Sequence, residues 1–210
     1  MRGKFVVFEG ADGAGKSTQL ALAAQWLQKR GIKVATSREP GGTPAGEKLR
    51  HLVLGEGMDR HSELFLMLAA RRENVCSVII PALMRGEWLL CDRFGDSTRA
   101  YQGGGRGIDE SLIEQASAAA EAGAKPDLTF YLLGGDNKNS SVPLLPSAAG
   151  DETFEKTTAD FYQRVCAKYR DLAAANKDGL MIRIDKNGIR RPRDDIAEAV
   201  QRHLAKKFKL

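Results

Sequence analysis

The sequence predicts an α/β fold of the P-loop NTPase type, with a five-stranded parallel sheet and helices on both faces. Three observations lead there. Short runs rich in β-branched and aromatic residues recur along the chain, apolar throughout rather than alternating, as strands buried on both faces must be. Longer stretches with apolar residues at helical spacing separate them, the arrangement of a parallel sheet with crossover helices. The first run passes at once through a glycine-rich turn into the first helical stretch, the strand–turn–helix order of a P-loop.

Taken in order, residues 4–9 form the first strand, and 17–30 a helix closed by Gly31. Residues 32–36 are the second strand, and 62–84 a long helix broken at Pro81. Strand 88–91, helix 110–122 and strand 128–133 follow, then helix 153–176, strand 180–184 and a closing helix over 193–207. Residues 134–150, rich in Gly, Ser, Pro and Asn, interrupt the alternation as a long loop, with a lid segment expected at about 134–157. With no repeat and no linker, the 210 residues are expected to form one domain.

Composition narrows the class. Apolar residues at 42% and charged residues at 28% are those of an ordinary globular protein. No apolar run is long enough to span a bilayer, so no membrane partner is expected. The N-terminus has no cleavage-site pattern. Cys76, Cys91 and Cys166 are odd in number and lack metal-ligand spacing, which reads as buried thiols in a cytoplasmic protein. The net charge of +5 equals the excess between residues 183 and 210, where nine Lys or Arg face four Asp or Glu. That segment has one aromatic residue, Phe208, and so lacks the interleaved rings of a nucleic-acid surface; no such partner is expected.

Gly10, Ala11, Asp12, Gly13, Ala14, Gly15, Lys16 and Ser17, followed by Thr18, match the P-loop pattern in full. The glycines let successive N–H groups point at phosphate oxygens, and the helix that follows adds its positive dipole end. Lys16 is placed to reach the β- and γ-phosphates, and Ser17 to ligate Mg²⁺. ATP and Mg²⁺ are the expected cofactors. A switch GTPase would carry an Asn-Lys-x-Asp signature; Asp136-Asn137-Lys138 and Asp185-Lys186-Asn187 have those letters in the wrong order.

Further clusters fall near predicted strand ends, where open parallel sheets bind ligands. Arg38 to Pro44 follows the second strand. Asp92 and Arg93 follow the third, with Asp92 in a Walker-B-like position for Mg²⁺. Gln102 to Gly107 is a third, glycine-rich cluster. Arginine's planar fork suits a phosphate, so Arg38 and Arg93 are candidates for holding a phosphorylated acceptor in line with the γ-phosphate.

The residues now quoted resemble the thymidylate kinase family in its bacterial form. The resemblance rests on 8–19, on 38–44 with Gly46-Glu47, on Ala69-Ala70-Arg71, and on 91–94 with 100–107. It is dense over residues 3 to 133 and looser beyond. It implies a transfer from ATP to dTMP within dTTP supply, by a protein that pairs as a homodimer. It also implies roles: Asp12 at the sugar 3′-hydroxyl, Arg38 and Arg93 at the dTMP phosphate, and Glu39 and Asp92 at Mg²⁺ and its waters. Arg71, Thr98 and Gln102 would address the polar edge of thymine, and Tyr101 would exclude a 2′-hydroxyl. Adenine would rest near 187–192.

This chain departs from the family pattern in two respects, at the base and around the transferred group. Met67 stands where an aromatic residue often stacks on the base. Gly13 occupies the P-loop position, and 134–157 the lid, in which arginines are usual; 134–157 holds only Lys138 and Lys156 as cations. Leu133 replaces an acidic residue. Lys138 or Arg164 are candidates for the missing charge. Two rivals remain: a kinase for another nucleoside or nucleoside monophosphate, and a nucleotide-binding paralogue without turnover.

Overall fold

Phe5, Val6, Val7, Phe8 and Glu9 are all buried, because the strand they form has a neighbour on each side and helices on each face. The computed structural model describes residues 2–55, 57–134 and 159–210. Its elements are β1 (Phe5–Glu9), α1 (Lys16–Gln28), β2 (Val34–Arg38), α2 (Pro44–Gly55), α3 (Arg60–Asn74), α4 (Ile80–Met84) and β3 (Trp88–Asp92). Then come α5 (Gly95–Thr98), α6 (Glu110–Glu121), β4 (Leu128–Leu133), α7 (Ala159–Ala175) and β5 (Gly179–Arg183). A short hairpin of β6 (Asp185–Lys186) and β7 (Ile189–Arg190) leads into α8 (Arg193–Phe208).

The main sheet has five strands in the order β2-β3-β1-β4-β5, and every pairing is parallel. This is the predicted sheet. Alternation along β1 divides the core. Val6 and Phe8 face α1 and α8, packing with Leu90, Phe130, Leu27 and Leu204. Phe5 and Val7 face the other way, onto Leu89, Val75, Ile79 and Leu83. A third cluster, Tyr101, Tyr131, Phe161, Tyr162, Val165 and Tyr169, clamps α7 to the sheet's far end. From β1 the chain moves outward to β2, whereas from β3 it crosses to β4 on the opposite side. The strand order thus reverses between β1 and β3, and the crevice at their C-terminal ends is the topological switch point of an open sheet.

Several boundaries differ from the sequence reading. The second strand runs Val34–Arg38, later than predicted, because it pairs residue by residue with β3 from Trp88 to Asp92. The helix over 62–84 does not break at Pro81. It starts at Arg60, capped by Asp59, and Val75–Ile79 widen into a π-type turn in which Ile80 N–H donates to Val75 C=O. Hydrogen bonding is thereby reset ahead of Pro81, which enters the next turn as its first residues, where a missing N–H costs little. Helix α2 is not among the predicted elements: Leu49, Leu52 and Val53 stand at helical spacing, but the run is about one turn long and is flanked by Pro44, Gly46 and Gly55, which read as loop. The cluster 102–107 is not a phosphate-binding loop at a strand end. Residues Arg99–Gly105 are helical, continuing α5 in a wider turn. Their glycines serve packing: a Cβ on Gly104 would meet Lys168 Cβ at 2.8 Å, and one on Gly105 the Phe161 ring at 2.4 Å. The loop and lid segment expected over 134–157 lie, apart from Gly134, outside the described residues, as does the start of the helix expected at 153.

Leu90 lies fully buried in β3 at the centre of the sheet. Leu90→Ala is expected to cost about 3 kcal/mol, measured by denaturant unfolding, since the rigid sheet cannot collapse into the space left.

Candidate active site

The turn after β1 is shaped for anions. Gly10, Gly13 and Gly15 all have positive φ, at 141°, 75° and 91°, where a side chain is strained. Gly10 is further restricted, since a Cβ there would lie 2.5 Å from the Leu132 carbonyl. Helix α1 begins at Lys16 with no side-chain cap and no acidic residue in its first turn. Its leading N–H groups are therefore open to a phosphate. Lys16 is buried, with Nζ donating to the Ala11 carbonyl at 3.0 Å. Burial, followed by the Arg93 guanidinium, lowers its ammonium to about 8.

Across the crevice, the Ser17 hydroxyl donates to Asp92 Oδ2 at 2.5 Å, while Asp92 Oδ1 is buried without a hydrogen-bond partner. A hydroxyl and a carboxylate oxygen with an open lone pair form a hard-oxygen donor set that fits Mg²⁺. Glu39 lies alongside, its N–H donating to the Asp92 carbonyl at 2.9 Å. Its carboxylate accepts from Arg71 Nε at 2.7 Å and Asn74 Nδ2 at 3.1 Å. Of the three residues assigned to the metal, Ser17 and Asp92 are joined directly, and Glu39 is coupled to the arginine of the acceptor side.

Arg93 is the most heavily held side chain here. Its own φ is 74°, strained for a residue with a Cβ, and its N–H is anchored to the Phe8 carbonyl at 2.9 Å. Its guanidinium donates to Asp12 Oδ1, to the Gly10 carbonyl and Tyr169 hydroxyl at 3.1 Å, to Tyr101 at 3.1 Å and to Ser97 at 3.2 Å. The Tyr101 hydroxyl in turn donates to Asp12 Oδ2 at 2.8 Å. Burial opposes ionisation of Asp12, but Arg93, Lys16 and the Tyr101 hydrogen bond overcome it and hold the carboxyl at about 2. Asp12, Arg93 and Tyr101 thus form one unit that links the P-loop to the region assigned to the acceptor.

The three base-reading candidates share one property: each has a buried polar atom without a partner, namely Arg71 Nη1, Thr98 Oγ1 and Gln102 Oε1. Thr98 and Gln102 stand on one face, four residues apart in helical conformation. Arg71 Nη2 reaches the same element by donating to the Phe94 carbonyl at 2.8 Å. Arg38 ends β2 directly opposite Asp92, half exposed, and its fork is occupied by Glu47 at 2.8 and 3.3 Å. Met67 is half-buried on α3, four residues before Arg71.

Four functional residues escaped the sequence reading. Glu9 is fully buried at the end of β1, and its Oε1 accepts from Phe94 N–H at 2.8 Å and Ser97 N–H at 3.2 Å. Its Oε2 accepts from the hydroxyls of Ser97 at 2.6 Å and Tyr169 at 2.9 Å. Both hydroxyls therefore present lone pairs to Arg93, and their direction is set by Glu9. Burial, and then the Asp96 carboxylate, raise Glu9 to about 7. An acidic residue ending an apolar strand was the available signal; Tyr169, 160 residues away, gave none. Glu63 holds Gln102 Nε2 at 2.7 Å and Arg106 at 3.0 Å. Arg190, from β7, donates to the Gly13 carbonyl at 2.8 Å.

Two outcomes are expected. Tyr169→Phe removes one acceptor from Arg93 and one donor from Glu9, and should lower stability by about 1–3 kcal/mol in denaturant unfolding. For Glu9, the folded value of about 7 exceeds the ordinary value of 4.5, so its contribution to stability is full below about 4.5 and is lost as pH rises through about 7. The wild-type melting temperature should accordingly fall more between pH 6 and pH 8 than that of Glu9→Gln, compared by calorimetric scans across that window.

A family model described as thymidylate kinase matches residues 8–196 of this chain. A thymidylate kinase of Ralstonia nicotianae is 44% identical over 209 residues, covering 98% of this chain and 99% of the relative. One of Methylobacillus flagellatus is 43% identical over 200 residues, covering 95% and 96%. The crystal structure of thymidylate kinase from Ehrlichia chaffeensis aligns with a TM-score of 0.80 at 34% identity, covering 97% of this chain and all of that one. A P-loop at a sheet switch point, an acidic–hydroxyl pair beside it and an arginine knot behind it agree with that likeness over nearly the whole length: the chain belongs to the thymidylate kinase family.

Proposed function

We propose that this protein transfers the γ-phosphoryl group of ATP to dTMP, giving ADP and dTDP. The observation that carries the reading is the orientation of Gln102. Its amide nitrogen is held by Glu63, so its Oε1 is the atom left without a partner. An acceptor fixed in that place asks for an N–H donor, which the N3 of thymine supplies and the N3 of cytosine does not. Arg71 Nη1 supplies a donor for a carbonyl of the same ring edge, and Thr98 can serve either way. Tyr101, pinned by Asp12 and Arg93, stands rigid against a 2′-hydroxyl.

On this reading Lys16 and the P-loop amides hold the triphosphate, Asp12 meets the 3′-hydroxyl, and Arg93 and Arg38 position the acceptor phosphate, Arg38 by exchanging Glu47 for it. Ser17 and Asp92 would hold Mg²⁺, with Glu39 ordering its waters, and the ion supplies neutralisation of charge on the β- and γ-phosphates. Catalysis is then positioning and electrostatics, with no covalent step on the protein. Met67 covers the base as a polarisable apolar surface. The reading takes residues 1–210 as one kinase domain, working as a homodimer in the cytoplasm. Exposed Leu52 and Phe65 on the neighbouring helices α2 and α3 support the pairing. Of the three thiols expected to be buried, Cys91 and Cys166 are, and Cys76 is exposed. Among the described residues no helix is long and apolar enough to cross a membrane.

The test is ADP release from Mg-ATP with dTMP, dUMP, UMP, CMP, AMP and thymidine as acceptors. Turnover preferring dTMP, with CMP among the poorest, and its loss by about 100-fold or more in Lys16→Ala, is the expected result. Equal use of CMP would remove the Gln102 argument, and the absence of turnover with every acceptor would remove the activity.

A further inference from the structure

The P-loop itself brings one cation to the triphosphate, Lys16, and the sequence from 134 to 157 contains no arginine. Transfer from ATP develops charge on the migrating group that a guanidinium neutralises better than any other side chain. Arg93 already serves five acceptors. Arg164 is turned to the Gly105 carbonyl at 2.9 Å.

Arg190 is placed differently. Its Nη1 donates to the carbonyl of Gly13, inside the P-loop. Its Nη2 lies 3.0 Å from the point a Cβ on Gly15 would occupy. The guanidinium therefore lies along the rim of the loop, over the two glycines that precede Lys16. The hairpin holds it there. Asn187 and Gly188, at φ of 53° and 79°, form its tight turn, and Arg190 pairs across it with the buried Asp185. Arg191 ties the hairpin down through N–H to the Ile184 carbonyl at 2.9 Å and a side-chain bond to the Arg183 carbonyl at 2.8 Å. Adjacent arginines thus point to different tasks, Arg191 into the scaffold and Arg190 onto the P-loop.

We propose that Arg190 is a further catalytic residue, a guanidinium supplied by the β6–β7 hairpin that contacts the triphosphate of bound ATP. This rests on the reading of the chain as an ATP-dependent kinase. The fork has five N–H donors, and its one described hydrogen bond leaves the others for phosphate oxygens.

The test compares wild type, Arg190→Ala, Arg190→Lys and Lys186→Ala, an exposed cation of the same hairpin, by ADP release with dTMP, and by calorimetric titration with Mg-ATP. Arg190→Ala should lose about 100-fold in kcat with the KM for dTMP within about twofold, and Arg190→Lys should recover only part, having charge without the fork. Low guanidinium chloride should restore turnover to Arg190→Ala, and Lys186→Ala should keep kcat within about threefold of wild type. Full activity in Arg190→Ala would overturn the proposal. So would an equal loss in Lys186→Ala, which marks a general effect of charge, or a loss that guanidinium leaves untouched while the melting temperature falls, which marks a scaffold role. If wild type itself releases no ADP, the kinase reading fails separately. The titration still decides on Arg190: Mg-ATP affinity should drop about tenfold in Arg190→Ala, and unchanged affinity overturns the contact.

Discussion

Everything around the crevice depends on one buried cation and the acceptors that surround it. A guanidinium taken out of water is costly unless each direction in which it donates finds an acceptor. Arg93 finds Asp12 and Gly10 from the P-loop, Tyr101 and Ser97 from the α5 helical segment, and Tyr169 from α7. Three elements distant in sequence are thereby fixed to one another. Glu9 completes the arrangement from beneath, as a carboxylate that accepts from the Ser97 and Tyr169 hydroxyls and so keeps their lone pairs turned toward Arg93. Charge alternates outward from the cation through neutral hydroxyls to an anion, an order in which each hydrogen bond polarises the next.

This explains why the sheet is built as it is. Glu9 and Gly10 are consecutive, so the last side chain of β1 faces down into the hydroxyls while the next residue opens the phosphate turn. Asp92 and Arg93 repeat the device on β3, where the strand's last residue meets Ser17 and the following one turns back, at positive φ, to the knot. Strand pairing between β1 and β3 sets both pairs in register, Phe8 opposite Asp92. Site geometry is therefore inherited from the sheet rather than from the surrounding loops.

What the sequence disclosed follows the same division. The P-loop, Asp92 and Arg93 were legible because their chemistry is local: a backbone that must bend, a helix that must start, a strand that must end. The three inner strands were legible because burial on both faces leaves continuous apolar runs, and the partly exposed edge strands β2 and β5 because they fall where the alternation with helices calls for a strand. Glu9, Glu63 and Tyr169 were not, because their function lies in partners far along the chain, and no spacing announces a contact between residues 9 and 169. The glycines at 103–105 misled for the opposite reason. A glycine admits close approach by any atom, and here the approaching atoms belong to Lys168 and Phe161 rather than to a phosphate. Helix α2 was hidden because its apolar face, Leu49, Leu52 and Val53, is short and lies between glycines that read as loop.

The adjacency of Glu9 and Gly10 has a mechanical consequence. Reacting atoms in a transfer of this kind must be brought to about 3–3.5 Å with their orbitals aligned. The P-loop and, through Glu9, the knot of Ser97, Tyr169 and Arg93 are referenced to neighbouring peptide units of one central strand, held by ladders on both sides. Thermal displacement of that strand moves both sets together and leaves their separation unchanged. Alignment error is thus cancelled at its source, as in an optical bench whose two mounts share a single rail.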